Sequence, residues 1–166
     1  MIRVPEAFQV QPFYAKELIS LPEVTNSSFR EICRAIPFYF DLNPSQKYWD
    51  QKHDIIPVLL EWWTEEERTL TALFHERNTK EAKPIMVIMS AAFIDCLFWM
   101  NDKPVTGLTH LKQALIDIGF KPINCEERLD FVLQNSSQYH AFTQLRALFL
   151  EVKKIYAKIK LIEHKD

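Results

Sequence analysis

Residues 85–100 read IMVIMSAAFIDCLFWM, with one serine and one acid, Asp95, in an otherwise apolar or small-residue run. Sixteen helical residues at about 1.5 Å each span roughly 24 Å, short of the ~30 Å hydrocarbon core of a bilayer. A carboxylate near the middle adds to the insertion cost. The run therefore reads as a core helix, and no membrane insertion is expected. At about 100° per residue, Met86, Met89, Phe93, Leu97 and Met100 share one stripe. Asp95 lies almost opposite, beside Ile88, Ala91, Ala92, Phe98 and Trp99. A helix apolar on all sides needs packing partners on two faces. A carboxylate on the small-residue face needs a partner of its own. A basic side chain is the expected partner; exposure at a helix edge or contact with a ligand are the alternatives.

The flanking sequence supports a helical frame. Pro57 stands early in a helix running through VLLEWW, with Asp54 as a candidate cap, and Thr64 with Glu67 forms a capping box for a new helix or a kinked continuation. Thr79 can cap a helix over 80–101, and Thr109 a short one ending at Gly119. Asn124 and Glu127 form a further capping box for 125–134. After Ser136 or Ser137 a long last helix carries Tyr139, Phe142, Leu145, Phe149, Val152, Tyr156 and Ile159, a helical stripe. Short helices are expected over 14–20 and 27–36, and PFYFDLNPSQKYWD (37–50) reads as a long aromatic loop. The expected fold is all-α. A single-domain, irregular bundle of about five or six helices surrounds a central apolar helix (80–101), with residues 1–50 as a proline-rich, partly irregular lead and 51–166 as the helical core.

Composition excludes several functions. The 166 residues include only two glycines, Gly107 and Gly119. A Walker loop, a dinucleotide fingerprint and a nucleophile elbow each need closely spaced glycines, so none can be built. Net charge is −2, so no global positive field draws in nucleic acid. Cys33, Cys96 and Cys125 are odd in number and widely separated, with no CxxC pair. Cys125 stands in the first turn of a helix, where the dipole lowers a thiol's pKa, but Glu126 and Glu127 oppose that effect. No Glu-x-x-His pair and no HExxH motif occurs; Asp50-x-x-His53 is the nearest pattern. No catalytic residue, metal or cofactor is expected. The N-terminus has no apolar stretch of the signal-peptide kind, which makes the cytoplasm the expected compartment.

Three functional readings remain. Aromatics concentrate around 38–63, and Trp49, Trp62 and Trp63 are candidates for a protein interface. A non-enzymatic helical protein acting through protein–protein contact is thus the leading reading. A ligand-binding or enzymatic pocket near Asp95 and Trp99, with His53, is the second. The third is nucleic-acid binding through Lys153, Lys154, Lys158 and Lys160 on the last helix, although acidic neighbours argue against the tandem tryptophans as a base-stacking platform.

Two stretches, PFYFDLNPSQKYWDQKHDIIPVLLEWW (37–63) and KPINCEERLDFVLQNSSQYHAFTQLRALFLEVKKIYAK (121–158), resemble the YpoC-like family of small proteins from Bacillus-type bacteria. The resemblance covers roughly 35–160. It implies an α-helical cytoplasmic protein and supplies no catalytic residue to carry over.

Overall fold

In the computed structural model, which describes residues 2–15, 18–19, 28–43 and 46–164, the apolar run lies inside a helix spanning Thr79–Met100. Seven α-helices are present among the described residues: α1 (Phe29–Ala35), α2 (Tyr39–Leu42), α3 (Lys52–His75), α4 (Thr79–Met100), α5 (Leu111–Ile116), α6 (Cys125–Gln134) and α7 (Tyr139–Glu163). A two-residue antiparallel ladder pairs Ile2–Arg3 with Leu18–Ile19. The class is all-α.

Helix α4 is the spine. Every residue from Met89 to Met100 is buried, the acid included. Helices α3 and α4 form a hairpin through a turn in which Arg77 takes φ 59°, and α7 packs across both. Asn78, not Thr79, caps α4 by accepting a hydrogen bond from the Glu81 amide at 3.3 Å. By length and composition alone α4 could cross a bilayer, because its 22 residues extend well past the sixteen-residue run. Length therefore does not separate the two readings; in this fold most of the helix is covered by its neighbours.

Several expectations are corrected by packing. No helix begins at Thr64: α3 continues unbroken for 24 residues, and the Thr64 hydroxyl donates to the Leu60 carbonyl one turn back. Leu59, Trp63, Leu70 and Phe74 keep one buried stripe through the region, and that stripe outweighs a local cap signal. Helix α3 begins at Lys52, so Pro57 falls in its second turn. Asn124 adopts a left-handed conformation (φ 56°) and makes no side-chain cap, so the 124–127 box does not form. The expected helix over 14–20 gives way to a strand at Leu18–Ile19, while 16, 17 and 20 lie outside the described residues. The 37–50 loop contains α2 and a short 3-10 turn, Tyr48–Asp50. Its aromatics turn inward: Phe29 stacks on Phe40 (5.3 Å, 17°), and Tyr48 packs on Trp99 at 5.5 Å.

Two ties close the bundle. Ala7 offers its carbonyl to the Leu108 and Thr109 amides at 2.7 and 3.2 Å. A Cβ on Gly107 would sit 2.8 Å from the Ala7 Cβ, so glycine is what permits this approach. At the opposite end of the chain, Lys52 Nζ contacts Glu163 Oε1 (2.5 Å) and Asp102 Oδ1 (3.1 Å). Glu163 also meets His53 Nε2 at 2.6 Å, and His53 Nδ1 lies 2.9 Å from the Tyr156 hydroxyl. Hydrogen bonds from Lys52 and His53 hold Glu163 below the usual carboxylate range. This network pins the last turn of α7 to the first turn of α3.

Candidate functional site

Asp95 is 3% exposed, and its partner is another acid. Asp41, on α2, is brought against α4 because Phe38 and Phe40, just before it in the chain, are buried in the core. Its Oδ1 accepts from Trp99 Nε1 at 3.0 Å and from the Val105 amide at 2.9 Å. Among the described residues, neither Oδ2 of Asp41 nor Oδ1 of Asp95 receives an amide, hydroxyl or indole donor. The two carboxyls lie close enough to share a hydrogen bond once one of them holds a proton. The expectation of a basic partner for Asp95 is therefore corrected.

The proton belongs with Asp95. Two N–H donors support the charge on Asp41, whereas among the described residues Asp95 receives none. Burial, reinforced by the neighbouring Asp41, holds the Asp95 carboxyl well above its ordinary range. Burial also raises Asp41, against hydrogen bonds from Asp95, Val105 and Trp99 that pull it down. Cys33 on α1 and Tyr14 face the pair, and both are pushed up, first by burial. The Tyr14 hydroxyl donates to the Pro37 carbonyl at 2.6 Å and so supplies no proton to the acids.

Beside Asp95 is a void of about 10 Å³, lined by Cys33, Leu59, Trp62, Ile88, Ala91 and Ala92 among others. The last three are the small-face residues that the helical wheel places with Asp95. The indole N–H of Trp62 has no hydrogen-bond partner among the described residues. A void of this size has room for about one water and no more. The site can hold a proton and a solvent molecule; it is too small for a metabolite.

The sign of the pH dependence follows from the raised carboxyl. The folded protein binds this proton more tightly than the unfolded chain, whose Asp titrates near pH 4. The stability it contributes is fully present below that pH and is lost as pH rises toward the folded value. Asp95→Asn is expected to flatten most of this fall, because the amide donates permanently to Asp41. Urea unfolding of both proteins over a series from acid to mildly alkaline pH checks it: parallel slopes would remove the shared proton.

The other candidates lie elsewhere. Trp62 and Trp63 are core residues, 1% and 5% exposed; Trp49 is half-buried. Trp63 stacks on Phe149 (4.4 Å, 7°). Trp99 is buried, with its indole committed to Asp41. His53 belongs to the Lys52–Glu163 network and does not line the void. Cys125 is buried and pushed up to about 12, chiefly by burial, so the helix start does not activate it. Among the described residues no three His, Cys, Asp or Glu side chains are grouped to hold a metal ion.

The feature that sequence reading missed lies outside. A groove of about 440 Å³ runs between α3 and α7, with Trp63 and Phe149 at its floor, Leu60 and Leu150 at its lips, and Glu67, Arg146 and Lys153 on its walls. It meets a second hollow of about 370 Å³ at Arg146, which lines both; Phe74, Tyr139 and Phe142 line the second. Leu150 is 54% exposed. Position 150 falls beside the buried stripe of α7, and nothing local distinguishes it from an incidental surface leucine.

The family model for YpoC-like proteins matches residues 53–164, from α3 through the end of α7. The chain belongs to the YpoC-like family. It is 28% identical over 156 residues to the "Uncharacterized protein YpoC" of Bacillus subtilis (strain 168), covering 92% of this chain and 95% of that protein. No solved structure matches. The YpoC-like match includes Asp95 and both groove helices but not Asp41, which lies before its first residue.

Proposed function

We propose that this YpoC-like protein is a non-enzymatic helical module that docks a partner protein on the outer face of α3 and α7. One observation carries the reading: an apolar groove with an aromatic floor, flanked by an exposed leucine, on the two longest helices of the bundle. Grooves of this kind accept the apolar face of a partner segment. The second reading, a small-ligand or enzymatic pocket near Asp95 and Trp99, has a void of about 10 Å³ to work with, so the groove is favoured. Cytoplasmic residence is part of the proposal and is supported by three buried, unpaired cysteines. So is the placing of α4 in the core rather than in a membrane.

Leu150→Glu tests the reading. The side chain is exposed, so unfolding free energy should stay within about 0.5 kcal/mol of the parent. Affinity purification from the native organism should lose a specific protein that the parent chain retains. An identical set of co-purifying proteins from both chains would remove the groove as the docking surface.

A further inference from the structure

We infer that the occupant of the α3–α7 groove is an acidic amphipathic helix. This rests on the reading of that face as a docking surface and adds the chemistry of what binds there. The wall contributed by α7 carries Arg146 and Lys153, and among the described residues neither has a carboxylate partner. Arg146 lies over the Phe142 ring at 5.1 Å, which holds its guanidinium at the junction of the two hollows. Arg77 lines the far hollow and adds a third cation. Glu67 is the single acid lining either hollow.

The charge at this face is thus opposite in sign to that of the whole chain, whose net charge is −2. Farther along α7, Lys160 is exposed and, seven residues after Lys153, falls on the same face at about 100° per residue. Along α3 the two hollows reach from Leu60 to His75, roughly 22 Å at 1.5 Å per residue. That is about four helical turns.

Shape and charge together select the partner. A helix of about fifteen residues lays apolar side chains at i, i+3 or i+4, and i+7 into such a groove. Acids flanking that stripe would meet Arg146 and Lys153 at the wall, which favours encounter and fixes orientation. A nucleic-acid backbone matches the charge but leaves the Trp63–Phe149 floor unfilled. A second copy of this chain would bring another basic α7 against the first.

The test is a selection of random fifteen-residue peptides displayed on phage, against the whole protein at about physiological ionic strength. Enriched peptides should carry helically spaced Leu, Ile or Phe with net negative charge. A synthetic representative should lose roughly tenfold or more in affinity to the Leu150→Glu protein. It should also lose roughly tenfold to Arg146→Glu with Lys153→Glu, and its affinity for the parent should weaken as salt rises. Neutral or basic winners that still depend on Leu150 would overturn the inferred occupant while leaving the docking face in place. Winners indifferent to Leu150→Glu, or no enrichment at all, would overturn both. Displacement of the peptide by an oligothymidylate of about twenty nucleotides would assign the face to nucleic acid instead.

Discussion

Asp41→Ala is expected to destabilise the protein by about 3–5 kcal/mol, while Asp41→Asn loses far less. Alanine removes the acceptor shared by Trp99 Nε1 and the Val105 amide. A buried donor left without an acceptor costs about 1–3 kcal/mol, and there are two here. Asp95, 3% exposed, would also lose the carboxyl it bonds and stand alone in the core. Asparagine keeps an oxygen where Oδ1 was and offers an amide to Asp95. Urea unfolding of the three proteins at one pH measures the difference. Equal losses for the alanine and asparagine variants would mean that the hydrogen bonds to Asp41 do not hold α2 and the 101–105 segment to α4.

Trp63→Ala is expected to cost about 3–5 kcal/mol, the range for truncating a buried aromatic side chain. Its ring stacks on Phe149 at 4.4 Å and lies 6.4 Å from Phe142, and Phe149 in turn meets Phe93 of α4 edge-on at 5.3 Å. Removing it opens a hole where α3, α4 and α7 meet. Trp49→Ala should cost distinctly less, because that side chain is only half-buried. Where Trp63→Ala does not fold, Trp63→Phe keeps part of the stack and should retain a cooperative transition at a lower midpoint. A loss below about 1 kcal/mol for Trp63→Ala would return it to the surface. Folded yields and transition midpoints read this directly, without a known partner.

The bundle was legible wherever one long apolar stripe dominates. The stripe Phe142, Leu145, Phe149, Val152, Tyr156 and Ile159 is buried along α7, with Tyr139 alone emerging at its start. The wheel of α4 placed Asp95 with Ile88, Ala91 and Ala92, and those residues surround the void. Boundaries were less legible. Thr64 and Glu67 have the spacing of a capping box, but a cap is worth about 1 kcal/mol. The stripe running from Leu59 to Phe74 outweighs it.

What the sequence determined by itself was the helical class, the buried spine and the absence of glycine-built phosphate sites. Those depend on periodicity and composition, which are local. Tertiary structure alone decided that Asp95 meets Asp41 rather than a cation. The two acids are 54 positions apart (95 − 41), and no local pattern couples them. The same holds for the groove, whose walls come from residues 60–67 and 143–153. A surface leucine becomes part of a docking face only when a distant helix supplies the opposite wall. Contacts between non-neighbouring helices create both features, and such contacts leave no periodic trace in the chain.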